Sequence, residues 1–421
     1  MMVGMQSARG AAGHLLVVVP LLMLGTVNLF KTPQLTQLLR VDPTVAAAGA
    51  CALLTAGGLL HRRLRLERSW APAACCLVLF LPALLVTSRS TAYSIEKTAA
   101  VLVFTPLLLA APMVLLRSPR RRAWLVGAAG ALGVLVSGWL LATGQAGVGS
   151  GRLAVGDTNP IGLGRTACIG VVVMAVLALR TRGLRRLICL ASTMLCLAAA
   201  VATGSRGPVA SALLAITVVA ALTGVRRSRV GALVVLAAVA VASFDVVHRL
   251  APTAGLDRLS TARGGETDQQ RVRMAREAMS MVWEHWLGVG WGDFGDFLST
   301  SAVVSAQGPR QYPHNVLLET AAEGGLLALA GLLLVFTVSW RRLVGAARTT
   351  TSEQALLALW ILGVGSAMTS SDLIGNRLMW LVVGIGLALP ARGLVAQRGS
   401  AVPAATTADR EARRSAMTYT P

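Results

Sequence analysis

Charged residues are scarce in this sequence of 421 residues, where they make up 14% of the chain against roughly 25% in a soluble globular protein. Lysine occurs only at Lys31 and Lys97. Hydrophobic residues make up 55% and come in blocks of about twenty, the length of a helix that spans a bilayer. The scarcity of charge argues against a set of soluble domains and predicts one transmembrane domain over residues 1–397.

Signatures of several common enzyme classes are also absent. The sequence has no P-loop, no Gly-x-Ser-x-Gly elbow and no HExxH motif, which argues against an ATPase, a serine hydrolase and a zincin. The six cysteines lie in apolar blocks without CxxC spacing, so they suggest neither disulfides nor a metal site. Asp293 and Asp296 are the remaining metal candidates, and turn formation explains them as well. We expect no metal and no cofactor.

What the sequence does have is a series of twelve apolar blocks. In hydrocarbon such blocks must be helices, because only a helix satisfies its own backbone polar groups there. The expected fold is therefore an all-α, polytopic membrane protein of about twelve transmembrane helices. The blocks are residues 14–31, 43–60, 70–87, 98–116, 123–143, 161–179, 187–203, 208–225, 230–247, 315–339, 354–371 and 378–395.

The net charge of +21 comes almost entirely from arginine. The arginines cluster in alternate loops between the apolar blocks, at residues 62–65, 120–122, 180–186, 226–229 and 341–342. This alternation is typical of cytoplasmic membrane loops and predicts that both termini are cytoplasmic. The bilayer, and not nucleic acid, is the expected partner of this charge.

One connection, residues 248–313, is much longer than the others and falls on the extracytoplasmic side, between spans 9 and 10. Residues 267–270 resemble a capping box. Val272, Ala275, Met279, Val282 and Trp286 then recur at helical spacing, which predicts a helix that lies on the membrane or on other helices. Residues 398–421 lack periodicity and are expected to form a disordered cytoplasmic tail.

Arg206 is the most informative basic residue on the extracytoplasmic side, because it lies in a tight turn just before Pro208, a residue suited to the first turn of a helix. A helix N-terminus repels an arginine unless an anion is bound, and free N–H groups beside a guanidinium form a phosphate site. The alternative is an arginine that snorkels to water.

Arg271 lies on the predicted loop helix in line with Met274, and a functional and a surface role are equally open. The nearby Arg273 also fits a plain surface ion pair.

A polar stripe begins the tenth span. His314 lies where the field of the helix N-terminus favours its neutral form, which can accept a proton, although a capping or interfacial histidine is the simpler interpretation. Asn315, Glu319 and Glu323 follow at intervals of four. Buried carboxylates need partners, and Arg206 or Arg271 could supply them.

These pieces together resemble the O-antigen ligase and O-antigen polymerase superfamily of bacterial membrane glycosyltransferases. Its final Gly-x-x-Gly pattern departs here at Ala328, and Ala275 replaces the aromatic residue usual four positions after the loop arginine. The matching stretches are Ser205-Arg206-Gly207; the Arg271 helix with Gly288-Val289-Gly290-Trp291-Gly292-Asp293-Phe294; and Pro313-His314-Asn315 with Leu318, Glu319, Glu323 and Gly325.

The resemblance implies a GT-C-like fold and an inverting, metal-independent transfer of a glycan from an undecaprenyl-diphosphate donor to an acceptor hydroxyl. The reaction would take place at the outer face of the bacterial inner membrane, in the synthesis of cell-surface polysaccharide. Arg206 and Arg271 would bind the diphosphate and stabilise its charge, and His314 would deprotonate or orient the acceptor. Arg273, Asn315 and Glu319 are further candidates for binding the substrates.

Two alternatives stay open from the sequence. A polymerase of the same superfamily differs from a ligase only in its acceptor. A polytopic transporter or lipid-linked oligosaccharide flippase would also have about twelve spans, but such proteins often show two similar halves. No such repeat is visible here, and the polar residues cluster at one face of the membrane.

Overall fold

A computed structural model describes residues 2–26, 40–61, 68–146, 153–156, 158–224, 265–299 and 310–390. The predicted ninth span (230–247), much of the long loop and the predicted tail lie outside these residues. Over the described part, most residues lie in helices, and the strands there form a short antiparallel pairing of β1 (Gln145–Ala146) with β2 (Leu153–Ala154). The chain is an all-α, multi-pass membrane protein, as predicted.

The helices follow the apolar blocks closely. They are α1 (Met2–Gly25), α2 (Pro43–His61), α3 (Ala71–Phe80), α4 (Ala83–Val86), α5 (Ala92–Leu115), α6 (Pro119–Thr143), α7 (Pro160–Arg180), α8 (Gly183–Ala202), α9 (Arg206–Leu222), α10 (Gly265–Glu284), α11 (Val316–Ala346), α12 (Thr351–Ala367) and α13 (Arg377–Ala388), with short 3-10 turns at Arg68–Trp70 and Phe294–Phe297.

Span lengths vary more than a count of apolar blocks suggests. Six of the described helices are long and apolar enough to cross a membrane, namely α2, α5, α6, α7, α8 and α11. Shorter apolar helices cover residues 11–25, 71–86, 206–222 and 377–388. The third block is interrupted at Pro82, which separates α3 from α4. Proline has no N–H to continue a helical ladder, so a break there is expected.

The loop helix α10 packs against α11, but not through the face that its spacing suggested. Met274, Ala278 and Met281 are buried, whereas Val272 and Trp286 of the predicted apolar stripe are 50% and 59% exposed. The helix has two adjacent apolar faces. The face of Met274, Ala278 and Met281 contacts protein. The other face is free to meet lipid or the interface.

The connection 368–376 between α12 and α13 joins the ends of several helices. Tyr93, in the first turn of α5, donates a hydrogen bond of 2.9 Å to Asp372. Arg165, in the first two turns of α7, donates to the carbonyl and the hydroxyl of Ser370. The N-termini of α5, α7 and α13 therefore meet at one end of the bundle, which we call the site end, and each contributes partial positive charge there.

Candidate active site

Arg206 is the first residue of α9, as the Pro208 signal predicted. The helix start packs closely against the connection 368–376, because a Cβ at Gly207 would lie 2.0 Å from the hydroxyl of Thr369. Only glycine allows this approach. The packing brings Arg206 to the site end, where its side chain is exposed and accessible to a ligand.

His314 lies in the turn just before α11, with a left-handed backbone (φ 55°) that is uncommon for a residue other than glycine. Its ring stands 4.4 Å from that of Tyr312. Burial, and after it the charge of Arg271, lower the pKa of His314 to about 4, while Asp372 opposes the shift. This direction favours a neutral imidazole at physiological pH, and Arg271 is close enough to influence it.

Arg271 lies on the buried face of α10, in line with Met274. Its Nε is inaccessible to solvent and has no hydrogen-bond partner among the described residues. Arg273, two residues on, is exposed. Of the two loop arginines, the structure therefore brings Arg271, and not Arg273, to the protein side next to His314.

Asn315 caps α11. Its side-chain oxygen accepts hydrogen bonds from the backbone N–H groups of Leu317 and Leu318 at 3.0 and 3.2 Å, the usual geometry of an N-cap. This cap fixes where α11 begins and so fixes His314, the residue before it. The side-chain oxygen of Asn315 is therefore engaged by the backbone, which argues against the predicted use of this oxygen in binding substrate.

Glu319 and Glu323 form a buried ionic triad with Lys97. The lysine Nζ lies 2.5 Å from Glu319 Oε1 and 2.7 Å from Glu323 Oε2, and all three side chains are fully buried. The expectation that Arg206 or Arg271 supplies the partner is wrong, because Lys97 does. Sequence reasoning missed this residue although it is one of only two lysines, since it lies more than 200 positions from its partners.

The triad also holds two backbone segments in place. Glu319 accepts from the N–H of Leu373 and Glu323 from the N–H of Gly292, each at 2.8 Å. Charged hydrogen bonds of this kind are stronger than neutral ones. Lys97 and the two glutamates therefore connect α5 and α11 to the connection 368–376 and to the end of the loop helix.

The glycine-rich run 288–292 is a packing element. Gly290 and Gly292 have positive φ angles, and a Cβ on either would lie 2.6 Å from backbone atoms at Thr87 and Ser94. The indole of Trp291 is fully buried and donates to the carbonyl of Phe80 at 3.2 Å. The run thus attaches the loop helix to α3 and to the start of α5.

The two aspartates considered as metal candidates have different roles. Asp293 is buried and accepts a hydrogen bond of 2.6 Å from the backbone N–H of Ser88. Asp296 lies in the 3-10 turn that follows. Within the described ranges, no group of three or more His, Cys, Asp or Glu side chains is arranged to hold a metal ion.

Two partly buried arginines at the site end were not among the predicted site residues. Arg165 lies inside an apolar block, and Arg377 begins α13. Asp372, the acceptor for Tyr93, was missed as well, because nothing in a loop of small polar residues marks it. It lies within electrostatic range of His314 and Tyr312, and together with burial it raises the pKa of Tyr312 to about 12. A charged residue inside an apolar block was the available signal for Arg165.

Comparison with known protein families gives one finding. The family model described as O-antigen ligase matches residues 191–333, a stretch that includes Arg206, Arg271 and His314. No curated protein and no solved structure gives a significant match. The match agrees with the resemblance that the sequence motifs indicate, and it covers the part of the chain that carries them.

Proposed function

We propose that the protein is an inverting membrane glycosyltransferase of polysaccharide biosynthesis, and the match of residues 191–333 to the O-antigen ligase family supports this. Its donor is a glycan on undecaprenyl diphosphate, and its acceptor is a hydroxyl at the extracytoplasmic face of a bacterial inner membrane. The observation that carries the proposal is the neutral His314 beside Arg271, whose buried Nε has no partner among the described residues.

In the proposed reaction the acceptor oxygen attacks the anomeric carbon from the side opposite the diphosphate. His314 takes the hydroxyl proton, the new C–O bond forms, and the bond to the diphosphate oxygen breaks with its electron pair leaving on the diphosphate. One displacement of this kind inverts the anomeric centre. A neutral imidazole can act as a base toward that proton.

Arg271 and Arg206 bind the donor diphosphate in this proposal. The departing diphosphate gains negative charge, and cationic donors that are already in place stabilise it without reorganising. Arg206 adds the N-terminus of α9, which favours an anion. With arginines in this position, the reaction needs no metal ion.

The low pKa of His314 fits the donor-free enzyme. A base with a pKa of about 4 is weak at neutral pH, since a general base works best with a pKa near the working pH. Binding of a diphosphate at Arg271 offsets the positive charge that lowers the histidine pKa. The imidazole therefore becomes a stronger base only when the donor is bound, which restricts proton removal to the complex.

The extracytoplasmic placement rests on the arginine distribution. The site end lies opposite the arginine-rich residues 120–122 and 341–342, and the positive-inside rule assigns arginine-rich segments to the cytoplasm. Lipid-linked glycan and acceptor then meet at the outer face, with both chain termini inside.

The test is transfer by the purified protein in nanodiscs, with a fluorescent glycan on undecaprenyl diphosphate and a hydroxyl acceptor. We expect one undecaprenyl diphosphate released for each glycan joined, with an inverted linkage and no loss of rate in EDTA. A single addition identifies a ligase, and a ladder of products identifies the polymerase alternative. Movement of intact donor across the bilayer without transfer would contradict the proposal.

A further inference from the structure

A narrow cleft opens at the site end between the last turn of α1 and the first turns of α7 and α13. Arg165 and Arg377 are the charged residues that line it, beside Thr26, Thr166 and the apolar Ile169. The space open to the centres of water-sized groups is about 30 Å³, and roughly 10–15 Å³ accommodates one water. The cleft is therefore the size of one small oxyanion group.

Both arginines have a buried nitrogen that makes no hydrogen bond within the described ranges. Arg165 uses Nη2 for Ser370 but leaves Nε without a partner. The guanidinium of Arg377 stacks 4.5 Å from the ring centre of Phe104, and its Nη1 is without a partner. Buried donors are nearly always satisfied, so two orphan N–H donors on the walls of one cleft indicate a missing acceptor.

The positive charge of the cleft is not neutralised by contact. Asp372 lies within electrostatic range of both arginines, and Asp42 and Glu96 lie within range of Arg377. Among the described residues none of these carboxylates forms a salt bridge with either arginine; Asp372 instead accepts from Tyr93 and from the N–H of Gly375. The N-termini of α7 and α13 add partial positive charge.

We infer that this cleft binds the phosphate group of a membrane lipid, with Arg165 Nε and Arg377 Nη1 as donors. Guanidinium groups match phosphate oxygens in geometry and charge. The cleft lies at the ends of apolar helices, at the level where lipid headgroups are found, and Ile169 and Leu378 on its walls suit the start of an acyl or prenyl chain. Its size admits one phosphate and excludes a diphosphate bearing a sugar, so this is a different site from the one at Arg271 and His314.

The experiment is thermal unfolding of the purified full chain in neutral detergent, titrated separately with hexadecyl phosphate, phosphatidylglycerol and inorganic phosphate. In the native protein we expect the lipid phosphates to raise the unfolding midpoint. The Arg377→Gln variant should bind them at least about tenfold more weakly, which corresponds to the loss of one charged hydrogen bond. Arg341→Gln, an equal charge change at an exposed position of α11, should bind as the native protein does.

A second reading of the same experiment separates a ligand site from a structural role. The Nη1 of Arg377 makes no hydrogen bond among the described residues, and the guanidinium contributes to the ligand-free fold chiefly its stacking on Phe104, so the ligand-free unfolding midpoint of Arg377→Gln should fall only slightly. Arg165→Lys keeps the charge but lacks Nε and should also bind weakly; its ligand-free midpoint reports separately on the lost Nη2 bonds to Ser370. A lower ligand-free midpoint with unchanged ligand affinity in Arg377→Gln would overturn the inference.

The three titrations also distinguish the source of the phosphate. If inorganic phosphate raised the unfolding midpoint at the same concentration as hexadecyl phosphate, the phosphate site would be supported, but a lipid as its ligand would be contradicted. Absence of protection by all three would overturn the site itself. None of these outcomes depends on glycan transfer, so the site and the proposed function can fail separately.

Discussion

Two groups of charged residues lie at the same end of this molecule and differ in whether their charged groups have partners within the protein. In the triad of Lys97, Glu319 and Glu323, each charge has an opposite charge within 2.5–2.7 Å. In the second group, which we call the open cations, Arg165, Arg271 and Arg377 each have a buried nitrogen without a partner among the described residues.

The difference shows which charges serve the fold and which are available to a ligand. Burying an ion is tolerated when it is paired and hydrogen-bonded, and is costly otherwise. The triad pairs its charges internally, with one oxygen, Glu319 Oε2, left without a hydrogen bond among the described residues, and it connects helices α5 and α11. The open cations would satisfy it only with a bound anion, which in the two proposals above is the donor diphosphate at Arg271 and a lipid phosphate at Arg165 and Arg377.

The largest effect should follow from breaking the triad. Lys97→Met leaves two carboxylates buried without their cation, and the loss of one partner from a buried ion pair costs about 3–5 kcal/mol. We expect little folded protein and a strongly lowered unfolding midpoint, measured by size-exclusion yield and thermal unfolding. The matched control is Lys97→Met with Glu319→Gln and Glu323→Gln, which removes all three charges and should recover most of the folded protein.

If Lys97→Met alone folded as well as the native chain, the triad would not be a structural element. Glu319 and Glu323 would then return as candidates for binding substrate.

The next largest effect should come from the open cations, in a comparison of two arginines on one helix. Arg271→Gln removes a donor to the developing diphosphate charge and should lower kcat/KM about 100-fold, as the loss of one preorganised donor does in other enzymes. Arg273→Gln removes the same charge from an exposed position, and its kcat/KM should stay within about threefold of the native value. Steady-state transfer rates at saturating acceptor measure both, and equal losses in the two variants would contradict the assignment.

Arg206 is exposed, so its replacement should cost less. Arg206→Gln should raise the KM for the lipid-linked donor about tenfold, in line with the loss of one charged hydrogen bond, while the unfolding midpoint stays unchanged. Arg206→Lys keeps the charge without the planar guanidinium, and its KM should lie between the values for the native protein and for Arg206→Gln. An unaltered KM in Arg206→Gln would assign this arginine to the interface alone.

The smallest effect concerns the pKa of His314. The neutral imidazole is the competent form, so its reaction with diethyl pyrocarbonate should fall as the pH drops through about 4, and not through 6.5 as for a free histidine. Arg271→Gln removes a positive charge that lowers this pKa, so the midpoint should move to higher pH. Mass spectrometry of the labelled peptide measures both midpoints, and a midpoint near 6.5 in the native protein would contradict the burial of His314.

Local signals in the sequence predicted the parts of this site that depend on neighbouring residues. Pro208 and the apolar run after it predicted a helix start within two residues of Arg206, and the spacing from Arg271 to Met274 left a protein-facing position open for that arginine. Contacts between distant segments were not predictable in the same way. The pairing of Lys97 with Glu319 and the approach of Arg165 to Ser370 each join positions more than 200 residues apart, and no periodicity encodes them.

Which face of α10 packs against protein was likewise not predictable from the sequence. Its residues recur at helical spacing on two sides, so the sequence predicted a helix correctly. Which side contacts protein depends on the partner surface of α11, where the buried Met281 and Ala278 fit and the 83% exposed Trp283 does not.

The central claim is that His314 takes the acceptor proton in a transfer from a lipid-linked diphosphate, and the most direct measurement is single-turnover transfer by His314→Ala in nanodiscs. We expect the rate to fall by about 10²–10⁴, the usual contribution of a general base, with donor affinity and unfolding midpoint within about twofold of the native values. His285→Ala, at a histidine that contacts Phe297, should keep the native rate. Transfer by His314→Ala within a few-fold of the native rate would contradict the account.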